Sequence, residues 1–430
     1  MPFIIPFALF LLIATGCSGQ APETVDEEPA QRTVAVEPLK ASAPDWPCWM
    51  GADHSGISLE TDWITQWPES GLPVLWTRDI GIGFSSVAIK DGLLYTMGHT
   101  DGIETVWCLN ARTGKVVWQH DYSSALIDNL YEGGPGATPT IHDGRVFTLG
   151  KEGQLFCFAS DSGKVLWEKE LQADLGVPLP EWGFNSSAFV FGDAVIFEAG
   201  RVVAYDQATG ERLYQGPKHN AGYGSAARLD SDGTSYIVTL DCDALRVTDS
   251  ADGREVASYP WPSPFRTNST TPIVEGNSIY ISTGYQVGCG LFRFKDDQLE
   301  LVYENRDMRN HFNNSILLDG YLYGFDGNSN LGRVVHLVCM NHATGEVMWK
   351  KRGFGCGSLM IADGKLLILS DRGQLVLADA TPDGYQETSR SDYLEGRCWT
   401  VPVLLDGCIF GRNAAGKLVA ADVSQPLSGN

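Results

Sequence analysis

The residues best equipped to do chemistry in this chain are gathered in six short loops. They read Tyr131-Glu132-Gly133-Gly134, Glu181-Trp182-Gly183-Phe184-Asn185, His219-Asn220-Ala221-Gly222-Tyr223, Pro264-Phe265-Arg266-Thr267-Asn268, Arg309-Asn310-His311-Phe312-Asn313 and Glu395-Gly396-Arg397-Cys398-Trp399. Their chemistry is that of binding rather than bond-making. Aromatic faces stack on a peptide, glycan or small molecule, and Arg, Asn and His supply orienting hydrogen bonds. The candidate binding face is therefore Tyr131, Trp182, Phe184, Asn185, Tyr223, Arg266, Arg309, His311, Phe312, Arg397 and Trp399. A second reading stands beside it, in which these side chains only plug a central channel and cap the core. Arg266, Arg309 and Arg397 fall together in an otherwise acidic chain, which points to an anionic ligand.

The motifs of bond-making enzymes are absent from the sequence. There is no G-x-x-x-x-G-K-[ST], no H-E-x-x-H and no G-x-S-x-G. Asp326-Gly327-Asn328-Ser329-Asn330 begins like a calcium loop, but the position that needs Glu is Leu337, so it reads as a polar hairpin loop. No CxxC occurs among the ten cysteines, which removes zinc-ribbon and thioredoxin-type sites. Cys108, Cys157 and Cys339 sit mid-strand and read as small buried hydrophobes. No catalytic, cofactor-binding or metal-binding residue is assigned. The formal net charge of −22 argues against nucleic acid, whose phosphates need clustered Lys and Arg. Partners are expected to be neutral or basic.

The elements that must position the loops repeat. Short hydrophobic strands are followed by tight turns at Asp91-Gly92, Asp143-Gly144, Gly192-Asp193, Asp232-Gly233, Glu275-Gly276, Asp319-Gly320, Asp363-Gly364 and Asp406-Gly407. The interval is roughly 40 to 52 residues, that of one supersecondary unit. In the second unit, 137–141, 145–149, 154–159 and 164–167 are strand-like runs separated by Gly- and Asp-bearing turns. Four antiparallel strands per repeat, arranged radially, make a β-propeller. The fold class is all-β, with eight blades. The eighth unit stops one strand short, and 72–76 carries the missing fourth strand, so the N-terminal strand should close the ring and leave no open edge.

Several units end in a more specific motif. It reads Asn110-Ala111-Arg112-Thr113-Gly114-Lys115-Val116-Val117-Trp118 and returns at 206–214 and 341–349. This A-x-T-G-K-x-x-W pattern resembles the tryptophan-docking repeat of the pyrroloquinoline-quinone (PQQ) propeller superfamily. The resemblance implies that Trp76, Trp118, Trp167, Tyr214 and Trp349 each pack against the alanine and glycine of a neighbouring blade. Burying one such ring contributes on the order of 3 kcal/mol. Units five and seven depart from the motif at 295–298 and 381–384 and should be held less tightly. Trp46, Trp49 and Gly51, with Gly56, resemble an N-terminal signature of PQQ-like proteins; a cap over 45–71, or an aromatic ligand clamp, follows from it.

The superfamily holds two kinds of protein. Its quinoprotein alcohol dehydrogenases are similar to one another in an adjacent Cys-Cys pair over PQQ and in acids at a calcium ion. This chain has no Cys-Cys doublet, and its loops are short. Its non-catalytic members include outer-membrane assembly lipoproteins of the BamB type. The N-terminus agrees with the latter: an apolar run over 3–15 ends at Ala14-Thr15-Gly16-Cys17, which resembles a lipobox with Cys17 as the lipidated residue. Residues 18–44, rich in Pro, Ala, Glu and Thr, read as a disordered acidic tether. The expectation is an exported, monomeric propeller (72–425), anchored in the outer membrane by lipid. It would be a non-enzymatic scaffold for an envelope protein or a glycan, without a cofactor. The alternatives are a quinoprotein oxidoreductase using PQQ with calcium on alcohols or sugars, and a polysaccharide-binding module.

Overall fold

The structure, a computed structural model, describes residues 45–329 and 335–425. The signal-like segment 1–17 with Cys17, the tether 18–44 and Asn330 lie outside the described residues. The described residues form eight sheets, each built on four antiparallel strands; one of them carries a fifth strand from the N-terminal segment. In blade two the middle strands Arg145–Leu149 and Gln154–Ala159 are almost wholly buried, and the outer strand Val165–Glu170 alternates. That is the signature of sheets stacked face to face with only their rims wet. The eighth blade takes its fourth strand from Val74–Asp79, which pairs antiparallel with Lys417–Asp422 and sets Trp76 opposite Ala420. The ring closes as the sequence reading expects. One short helix, Leu171–Leu175, is the only α-helix among the described residues.

The tight turns have the backbone their residues permit. Asp91 and Gly92 have φ of 51° and 75°, the type I′ geometry that matches strand twist. In blade five the first strand runs to Glu275 and the turn is Gly276-Asn277, one residue later than the sequence places it. Only a residue free to take positive φ can lead that turn, and Gly276 has φ 57°.

The docking aromatics sit in the joints between blades. Trp76, Trp118 and Trp167 donate their indole N–H to the carbonyls of Ala111, Ser160 and Gln207, at 2.9, 2.8 and 3.0 Å. Their rings lie flat on the turn glycine of the next blade; a Cβ at Gly114 would stand 2.6 Å from Trp76. Tyr214 packs on Gly253 in the same way. Cys108, Cys157 and Cys339 stand directly opposite Trp118, Trp167 and Trp349 across the strand pair. They are small because the ring leaves little room; all described cysteines are free and buried. Trp349 reaches blade seven, donating to the Thr381 carbonyl at 2.8 Å, so that joint has its ring despite the altered turn. Tyr303 does the same work on Gly345 and the His342 carbonyl, unannounced by a preceding turn motif. The joint from blade four to blade five has no such ring, since the register sets Ala257 at the docking position.

Around the channel a second set of bonds links the first strands. Ser86, Thr138, Ser187 and Ser225 each donate a backbone N–H to the next blade's hydroxyl: Thr138, Ser187, Ser225 and Thr271, at 2.9–3.2 Å. Polar residues are needed here because inner strands converge too tightly for large side chains yet still carry backbone donors to satisfy.

The segment 45–71 crosses the rim formed by the Asp-Gly turns. Trp46 bridges Ile89, Pro47 accepts from the Ile141 N–H at 2.8 Å, and Ile57–Ser58 adds a parallel strand to Ser358–Ala362. The Glu60 carboxylate accepts from Asp406 and Gly407 backbone N–H groups, both at 2.8 Å, and clamps the eighth turn. Trp46 is 4% exposed on Gly51, whose φ of 82° and bare Cα let the ring approach. Among the described residues no helix is long and apolar enough to cross a membrane.

Candidate functional site

Strands alternate direction, so the loops from each outer strand to the next blade emerge on the rim opposite the Asp-Gly turns. The turns between second and third strands emerge there too. Together they surround a central cavity of about 230 Å³. Trp49, reaching up from the cap, lines its inner end and donates to Thr271 Oγ1 at 3.2 Å. Of the candidate face, Tyr131, Trp182, Asn185, Tyr223, His311, Phe312 and Trp399 all line the cavity. Phe84, Trp399 and Phe312 form a continuous wall, with ring centroids 5.6 and 4.5 Å apart. Trp182 meets Tyr223 edge-on at 5.8 Å across from it.

The other candidates are placed elsewhere. Phe184 is 2% exposed and packs beneath the cavity against Gly153. The three arginines do not line the cavity. Arg309 makes a two-pronged pair with Asp326, at 2.6 and 2.8 Å, and a third bond to Gln286. Arg397 pairs with Glu132 at 2.6 Å and lies over the Trp399 ring at 4.3 Å. Arg266 is exposed and donates to Asn220 Oδ1 at 3.4 Å. The charge of Arg309 and Arg397 is thus met by the protein's own carboxylates.

Sequence reasoning offered Trp49 only through the alternative of an aromatic clamp, and it missed the wall residues Phe84, Tyr285 and Lys151. Lys151 lies in the turn between the second and third strands of blade two, and such turns face the cavity; that was the available signal. It is 1% exposed, and its Nζ donates to Asn185 Oδ1 at 2.6 Å. Burial pushes its amine down to about 7, against a smaller opposing pull from Glu104. His311 is likewise driven down to about 4 by burial, so its imidazole is neutral. Its ring nitrogens face the Tyr285 hydroxyl at 3.0 Å and Ser329 Oγ at 3.2 Å. Above the rim, Phe265 and Arg266 hold φ of 80° and 53°, and Tyr285 and Gln286 hold 51° and 68°, all strained for side-chain-bearing residues. Phe265 meets Tyr285 edge-on at 5.0 Å.

A buried ionic cluster lies beside the cavity rather than in it. His219 meets Glu198 at 2.6 Å, and Arg246 pairs with Asp241 and Glu255. The Glu198 carboxylate also accepts from the Gly222 N–H, fixing the loop that carries Tyr223. This cluster positions the wall.

The cavity does not suit a calcium-held quinone of the dehydrogenase kind. Among the described residues no Asp or Glu lines it, and no three His, Cys, Asp or Glu converge as a metal site requires. What the arrangement offers is an aromatic enclosure with one amine and several hydroxyl and amide groups.

Residues 102–351 match a protein family described as the outer membrane protein assembly factor BamB. The chain is similar to an outer membrane protein assembly factor BamB of Burkholderia pseudomallei, at 24% identity over 53% of this chain and 69% of that one. It is also similar to one of Moranella endobia, at 23% identity over 65% of this chain and 73% of the relative. Among solved structures, BamB from Moraxella catarrhalis superposes with a TM-score of 0.61 at 14% identity, covering 82% of this chain and 99% of that one. A quinohemoprotein alcohol dehydrogenase from Comamonas testosteroni gives 0.66 at 12% identity, covering 90% and 82%. At such identities these structures share the fold alone.

Proposed function

We infer that this protein is a non-enzymatic binding and assembly scaffold of the cell envelope, from the premise that the chain belongs to the family of the outer membrane protein assembly factor BamB. That match carries the reading, because it runs from the second hairpin of blade one to the last strand of blade six. The geometry of the loop-bearing rim supports it: aromatic side chains ring a cavity that no described Asp or Glu lines. On this reading the protein is exported, held at the outer membrane by lipid on Cys17, and engages a component of the outer-membrane assembly machinery through that rim.

The test is crosslinking and affinity recovery of the full-length, tagged chain from its native envelope. An outer-membrane assembly component should be recovered, and less of it from a Trp182→Ala/Phe265→Ala variant. Cys17→Ser should release the protein from the membrane fraction. Recovery of glycan alone would replace the scaffold with a polysaccharide-binding module. Dye-linked oxidation of alcohols or sugars on adding PQQ and calcium would replace it with a quinoprotein.

A further inference from the structure

Lys151 is an amine with no ion-pair partner among the described residues, and it carries its charge below about pH 7. Among the described residues no carboxylate lies within ion-pairing distance of its Nζ, which has one hydrogen bond, to Asn185, and the Tyr131 ring at 5.6 Å. The nearest acid, Glu104, is engaged elsewhere: it accepts from the Lys151 backbone N–H at 3.2 Å and from the Tyr122 hydroxyl at 2.7 Å. An ammonium carries three donors, so capacity remains on the cavity side. A buried charge of this kind is costly unless something pairs it. Among the described residues lining the cavity, Lys151 is the only Lys, Arg, Asp or Glu. The arrangement around it is held tightly, since a Cβ on Gly136 would stand 2.1 Å from Asn185 Oδ1.

We propose that the central cavity is a binding site for a small organic monoanion, a carboxylate with a flat apolar body, whose charged end pairs with Lys151 and whose body lies against the Phe84–Trp399–Phe312 wall. One cation matches one negative charge, so polyanions are disfavoured. The anion is met by this lysine and not by Arg309 or Arg397, which the chain has already neutralised. This site stands apart from the envelope reading. A chain that recovers no assembly partner still binds the carboxylate, and the converse holds as well.

The probes are benzoate and indole-3-acetate, each against its neutral amide, titrated calorimetrically into the intact protein at pH 6. The carboxylates should bind at least about tenfold more tightly than the amides, the effect of one favourable charge contact. That preference should fade between pH 6 and 9 as the amine loses its proton. Among the other groups, burial holds His311 near 4 and Tyr131 and Tyr223 well above their usual range. Burial also pushes the Glu104 carboxyl up, and the same pH series on Lys151→Met, which keeps Glu104, separates its effect from that of the amine. Lys151→Met should remove the preference, so that acid and amide bind alike. Asn185→Asp, nearly isosteric, should remove it too by supplying an internal counter-charge, with the unfolding midpoint showing that the fold is kept. No carboxylate binding at millimolar concentration, equal binding of acid and amide, or a preference surviving both substitutions would overturn the proposal.

Discussion

At the rim crossed by the N-terminal segment, Trp46, Met50 and Trp63 are each at most 5% exposed, and the carboxylates Asp45 and Glu60 accept from the backbone N–H groups of the first and eighth turns. At the opposite rim the aromatics Tyr131, Trp182, Phe312 and Trp399 stay partly exposed around a cavity, with a buried charged cluster beside it. The first rim spends its apolar side chains on burial. The second holds its apolar side chains where a ligand can reach them, kept open by buried polar contacts. Both rims derive from the same repeats, so the difference arises in the connections and in the added N-terminal segment.

Four substitutions sharpen that contrast. Trp46→Ala should be the most damaging, at about 3–5 kcal/mol in chemical denaturation, because a buried indole leaves a cavity on the cap side. Lys151→Met should act the other way on the loop side, raising stability by about 1–4 kcal/mol at pH 6 by removing an unpaired buried charge. Its sign follows from linkage. The folded amine titrates near 7 while the unfolded one stays protonated to higher pH, so the unfolded state binds more protons between them. Wild-type stability should therefore climb relative to the variant from pH 7 upward, and a flat difference between pH 6 and 9 would contradict the buried placement. Glu60→Gln should cost about 1–3 kcal/mol, since the amide nitrogen cannot accept from one of the two turn N–H groups. Arg397→Ala should be smallest, under about 1 kcal/mol, because its pair with Glu132 is open to solvent. A loop-side arginine as costly as Trp46 would erase the contrast.

The ring was legible because its signals are local. Asp-Gly pairs, alternating strands and the turn before each docking tryptophan all lie within a few residues of what they specify. The closing strand was legible for the same reason, as Trp76 repeats the pattern of Trp118. Tyr303 was not, because blade five keeps the ring while its own turn is Asp296-Asp297, and only the register shows where that ring lands. In the candidate face, the aromatics Tyr131, Trp182, Tyr223, Phe312 and Trp399 fell on the cavity because outer-to-inner loops share one rim. The arginines next to them did not line it. Whether a long side chain turns inward or toward a neighbouring carboxylate depends on where Asp326 and Glu132 stand in space, and both are distant or oppositely directed in the loop sequence.

The sequence by itself determined the number of blades, the closure of the ring and which loops share a rim, because each rests on periodicity and short-range turn chemistry. Tertiary structure alone decided that Phe184 is core, that Arg309 and Arg397 are already paired, and that Lys151 is, among the described residues, the charge left facing the cavity. Pairing and desolvation depend on distances between residues far apart in the chain, and no local pattern encodes those distances.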